Sequence, residues 1–217
     1  MRVVSPLFFL FSLSLFSACT QQAAAPTAAE IADGLQPRDS GLDSVAAAFA
    51  FDLSGSGVYV APVEIDYTKR FAGPGQPLRA RDYELDAKDR ARLQELMAEI
   101  FSEKFLAPRN SQVVADPEEA DYTLQLRLER FSLAAPLEPS AWLWRVYTEQ
   151  SAYGVLMGEL YNDEGKVVMR FRDRRDIGEK FGGLGPGRLE RFTSVTFWND
   201  MKLDLRRAFS SLDKTLG

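Results

Sequence analysis

Tyr122-Thr123-Leu124-Gln125-Leu126-Arg127-Leu128-Glu129-Arg130-Phe131 is the stretch that decides the fold. Successive side chains of an extended strand point to opposite faces. Tyr122, Leu124, Leu126 and Leu128 therefore share one face, and Thr123, Gln125, Arg127 and Glu129 share the other. Such alternation predicts a strand with one apolar face turned to a core and one face turned to water. Just upstream, Pro117-Glu118-Glu119 turns the chain, and residues 111–114 read as a short strand. Downstream, residues 151–161 and 166–173 form a predicted strand pair. Asn162-Asp163-Glu164-Gly165 joins them as a hairpin turn, in which glycine supplies a positive φ.

Two helices flank this core. Asp86 is placed to cap the first, with Asp89 three positions on. Leu93, Leu96, Met97, Ile100 and Phe101 then recur at helical spacing, and the helix is expected to stop before Pro108. The closing helix is expected over residues 189–216. Trp198, Met201, Leu205, Ala208 and Leu212 form its apolar stripe, with Phe197 and Phe209 beside them. Val58-Tyr59-Val60-Ala61-Pro62-Val63-Glu64-Ile65 reads as the first strand, with Pro62 marking an edge or a bulge. The order strand, helix, antiparallel strands, helix predicts an α+β fold. Its antiparallel or mixed sheet of four to five strands would be covered on one face by two helices.

The N-terminus reads differently. One positive charge at Arg2 precedes an apolar run from Val3 to Phe16, which is too short to span a bilayer of about 30 Å. The run closes on Cys19, the only cysteine in the 217 residues. Phe16-Ser17-Ala18-Cys19 resembles the lipobox of bacterial lipoproteins, although Phe16 stands where leucine is usual. That resemblance implies a signal peptide over residues 1–18, lipidation of Cys19 and a membrane anchor through it. Thr20 after the cysteine, rather than aspartate, implies sorting to the outer membrane. Residues 19–57, rich in Ala, Gln and Pro at their start, read as a flexible tether, with the α+β domain over residues 58–217.

Composition excludes several chemistries. There is no histidine, so no imidazole base or histidine-bound metal is possible. With Cys19 committed to lipid, no thiolate nucleophile remains, and Ser-His-Asp and Cys-His sites are out of reach. The net charge of −5 gives no general pull toward nucleic acid. No cofactor is expected. Glu118, Glu119 and Asp121 are the carboxylates available to a glycan hydrolase, but their spacing carries no catalytic signature. Asp66, Asp82, Asp86 and Asp89 lack the pattern of a calcium loop, and no metal site is expected. Gly182-Gly183-Leu184-Gly185-Pro186-Gly187 lacks the Lys-Ser/Thr ending of a phosphate cradle.

Ala141-Trp142-Leu143-Trp144-Arg145-Val146-Tyr147 is the stretch most suggestive of contact. Trp142, Trp144, Arg145 and Tyr147 match the residue types that dominate protein interfaces. The same aromatics suit a membrane interface, or a strand whose Trp142, Trp144 and Val146 pack beneath the helices.

Taken together, the tether, the Val58–Val63 strand, the Asp86 helix, Asp121-Tyr122-Thr123-Leu124, the Asn162–Gly165 hairpin and the Trp198 helix resemble a family of bacterial outer-membrane lipoproteins of unknown function. The resemblance transfers no catalytic residue. It implies a non-catalytic binding or assembly module, lipid-anchored in the outer membrane and facing the periplasm, with an envelope protein as partner. A carboxylate-dependent peptidoglycan hydrolase and a lipid or glycolipid carrier are the other readings.

Overall fold

The computed structural model describes residues 34–69, 80–137, 145–179 and 189–217. In chain order its strands are β1 Gln36–Arg38, β2 Ser44–Ala47, β3 Gly57–Val60, β4 Glu64–Tyr67, β5 Gln112–Val114, β6 Tyr122–Leu133, β7 Val146–Thr148, β8 Ala152–Asn162, β9 Val167–Ile177 and β10 Glu190–Phe192. The α-helices are α1 Ala87–Phe101 and α2 Ser194–Leu216. Eight strands form one mixed sheet in the order β1-β2-β9-β8-β6-β3-β5, with β4 also paired to β6; β7 and β10 form a separate two-stranded ribbon.

The alternating segment is the centre of this sheet. β6 buries Leu124, Leu126, Leu128, Phe131 and Leu133 and pairs antiparallel with β8 over nearly its whole length. On its other edge it pairs parallel with β3 at Val58–Val60 and with β4 at Glu64–Tyr67. The predicted Val58–Ile65 strand is thus two strands with Pro62 at the break. Pro62 cannot donate to the ladder and so interrupts it, and both strands lie parallel to β6 because α1 carries the chain back along the sheet before β6 begins.

The count of four to five strands is corrected to eight. The two strands missed at the N-terminal side, β1 and β2, lie within the stretch expected to be a tether. β2 pairs antiparallel with β9 in the register Ser44↔Arg172 to Ala47↔Met169, and buries Val45, Ala46 and Ala47. Folded structure therefore begins well before residue 58.

Both helices cover one face. Asp86 accepts a hydrogen bond from the Asp89 amide (2.7 Å) and caps α1 as expected. Leu93, Met97, Ile100 and Phe101 are buried from α1. From α2, Phe197, Trp198, Met201, Leu205, Ala208, Phe209 and Leu212 are buried. The layers meet through rings: Phe209 lies edge-on to Phe101 (5.3 Å between centroids) and to Phe171 of β9 (6.2 Å). Phe171 also lies against Gly158 of β8, where any Cβ would collide with the ring.

α2 starts at Ser194, five residues later than the periodicity predicts. Thr193 and Thr196 form a reciprocal capping box, in which each side chain accepts from the other's backbone amide (3.1 and 2.8 Å). The residues before it, Glu190–Phe192, are free to extend and pair with β7.

Candidate functional site

Three surfaces are built well enough to weigh: the open face of the sheet, the acidic side of α2, and the outer side of the β7–β10 ribbon.

The open face carries the polar half of the β6 alternation. Across it run the register rows Gln125–Glu159–Arg170–Ala46 and Glu64–Arg127–Met157–Arg172–Ser44. The Arg170 Nε donates to Glu159 (2.6 Å), and the Tyr161 hydroxyl donates to the same carboxylate (2.6 Å). Burial opposes ionisation of Glu159, but these two donors outweigh it and hold the carboxyl below its ordinary value. Burial and the adjacent Glu159 push the Tyr161 phenol up to about 12. Arg127 pairs with Glu64 through Nε and Nη2 at 2.8 and 2.7 Å. Opposite charges are thus matched across neighbouring strands, which stabilises the face without leaving a field for a charged ligand.

The acidic side of α2 serves the fold. Asp204 is buried and accepts the Gly178 amide (2.9 Å), with Arg207 at 3.3 Å. The Ser151 hydroxyl bonds Asp200. Gly178 has φ +86° and lies so close to the Asp200 carboxylate that a side chain would collide with it. These bonds clip the start of β8 and the end of β9 to α2. On β9, Asp173 pairs with Arg175 beneath the helices, and burial raises its pKa.

The ribbon presents a surface of another kind. β7 and β10 pair in the register Val146↔Phe192, Tyr147↔Arg191, Thr148↔Glu190. Val146 and Phe192 pack on the core. Strand alternation then turns Tyr147 and Arg191 outward, with Arg145 and Leu189 on the same side. Tyr147 is 51% exposed, Leu189 55% and Val195, in the first turn of α2, 69%. Arg145 and Arg191 are exposed beside them.

Of the residues singled out from the sequence, Arg145 and Tyr147 stand on this outward side. Cys19, Trp142, Trp144 and the 182–187 glycine loop lie outside the described residues. Glu118 and Glu119 are exposed on a short 3₁₀ turn. Asp121 accepts the Gly57 amide (2.8 Å) and ties β3 to β6, a structural duty. Asp86 is occupied as a cap. Among the described residues no cluster of three acidic side chains is placed to hold a metal, and no helix is long and apolar enough to cross a membrane. Leu189 and Arg191 were missed because the helical pattern absorbed them. The Thr193/Thr196 pair was the signal that could have released them.

No family model matches the chain, and no curated protein matches it. Several solved structures overlay it. The PelC dodecamer from Paraburkholderia phytofirmans shares 12% identity over 82% of this chain and 98% of that one, with a TM-score of 0.38. A DUF330 protein from Xanthomonas campestris shares 14% over 77% and 88%, with a TM-score of 0.37. A DUF4136 protein from Bacteroides thetaiotaomicron shares 14% over 79% and 95%, with a TM-score of 0.40. The structural neighbours thus include domain-of-unknown-function families.

Proposed function

We propose that the protein is a non-catalytic outer-membrane lipoprotein, anchored through Cys19 and facing the periplasm, that binds another envelope protein through the outer side of the β7–β10 ribbon. The observation that carries this reading is the register that sets exposed Tyr147 opposite exposed Arg191, with exposed Arg145 and Leu189 on the same side. An isolated exposed leucine or valine is ordinary, but an exposed tyrosine set among arginines is the composition of a contact centre. The pairing of β7 with β10, the packing of Val146 and Phe192 and the cap of α2 hold the ribbon in place, so binding would cost little ordering of the backbone. The matching partner surface has an apolar projection rimmed by carboxylates. Trp142 and Trp144 adjoin this surface in sequence and extend the same reading.

The test is photo-crosslinking from position 147 in intact cells. The expected result is one discrete protein adduct, reduced about tenfold by Leu189→Ser combined with Arg191→Glu, with circular dichroism unchanged. An adduct of equal yield in the folded double variant overturns the surface. Cys19→Ala tests the anchor separately and should move the protein from the membrane fraction to the soluble one.

A further inference from the structure

The largest solvent exposure of any large apolar side chain among the described residues belongs to Phe49, at 81%. Its position in the fold is informative. In the β1–β2 hairpin Gln36 faces Ala47. That pair ends the hairpin ladder, and Gly34 and Phe49 each lie two residues beyond it, at the same end. Gly34 is also where the described chain meets the segment that leads back to Cys19. Phe49 is held there from both sides. The Ala48 amide donates to the Val168 carbonyl of β9 (2.8 Å), and Phe51 packs against the core. Between them Phe49 and Ala50 form an exposed apolar tip.

This tip lies at one end of the sheet, in the row of Met169 and Leu160; the ribbon lies at the other, beyond Ala152 and Ile177. At about 3.3 Å per residue, the rows from Leu160 to Ala152 span about 26 Å. The chain from Cys19 to Gly34, even fully extended, reaches no farther than about 50 Å. The chain from Cys19 enters the domain at this end, so the apolar tip lies closer to the anchor's point of entry than the ribbon does.

We propose that Phe49 is a membrane foot, inserting into the headgroup region of the bilayer and setting the domain end-on, with the ribbon directed away from the lipid. The inference rests on the Cys19 anchor and adds an orientation to it. Aromatic side chains partition to the interface, and a lipid anchor raises the local concentration enough for one of them to engage. An end-on domain leaves Arg145, Tyr147, Leu189 and Arg191 clear of the surface.

The acylated full-length protein provides its own test, since Cys19 is the only cysteine and is blocked when lipidated. Ala50→Cys, which keeps Phe49 in place, and, at the far end, Glu179→Cys each introduce a single reactive thiol for an environment-sensitive fluorophore. The proteins are placed in vesicles of phosphatidylethanolamine and phosphatidylglycerol (about 3:1) carrying a lipid quencher at shallow depth. The expected result is loss of about half or more of the emission at position 50, abolished by adding Phe49→Ser, and essentially none at position 179. Unquenched label at 50 in protein that floats with the vesicles overturns the foot and leaves the anchor standing. Equal quenching at both positions overturns the end-on placement. Protein that does not float overturns the anchor, and the foot with it.

Discussion

The two faces of the sheet solve the same problem in opposite ways. On the helix-covered face, Leu124, Leu128, Leu156, Met169 and Phe171 meet α1 and α2 in a core built of aliphatic side chains and phenylalanine rings, and the charge it admits, Asp173, is answered by Arg175. On the open face, one residue away along each strand, Arg127 answers Glu64 and Arg170 answers Glu159 across the ladders. The difference shows that a long central strand can be specified from both sides. Burial fixes which residues face in, and charge register fixes which neighbours they face.

The contrast is broken most easily by shape. Phe171→Ala should cost about 3–5 kcal/mol, since it opens a void between Gly158 and Phe209. Met157→Ala on the open side of β8 should cost about 1 kcal/mol or less. Urea unfolding compares them. Equal losses would mean that the open face is covered in the folded protein.

A finer separation comes from pH. Asp173 has its folded pKa raised by burial above 3.8, so the folded state holds that proton more tightly than the unfolded one. Its contribution therefore grows as pH falls through the folded pKa toward about 4, and is lost as pH rises. Glu159 has its folded pKa lowered from 4.5. It contributes fully above the unfolded value and loses that contribution as pH falls through the folded one. In urea titrations between pH 3 and 7, Asp173→Asn should remove an acid-stabilising slope and Glu159→Gln an acid-destabilising one. Slopes of the same sign would refute the assignment of opposite environments.

The smallest effect is expected at Arg127, whose side chain is 45% exposed although doubly bonded to Glu64. Arg127→Ala should cost about 0.2–1 kcal/mol, and less in high salt. Thermal unfolding with and without about 0.5 M sodium chloride reads it; a larger, salt-independent loss would show that the pair is buried by something else.

Legibility in the sequence followed the same division. β6, β8, β9, α1 and the body of α2 could be read because each keeps one periodicity over several turns or pleats and faces water on one side. β1 and β2 could not. Gln36-Pro37-Arg38 is three residues around a proline, and Ser44-Val45-Ala46-Ala47 has the small side chains of a linker. They are strands because β9 offers an edge to pair with, and that edge exists only in three dimensions. β10 was hidden by a helix pattern that ran on past its own cap. For the candidate surface, Arg145 and Tyr147 were found by residue type alone. Leu189 and Arg191 join them through the pairing of the ribbon, which three residues on each strand cannot announce.

The pairing of β2 with β9 has a further consequence. Asp43, just before β2, donates its amide to the Asp173 carboxylate, 130 residues later in the chain (3.4 Å). The leading hairpin has no sheet edge to pair with until β9 has been made, so the first strands in the chain are among the last to find their place. Contacts so remote in sequence slow folding. In this strand order the sheet closes on its N-terminal side only once most of the chain has been made.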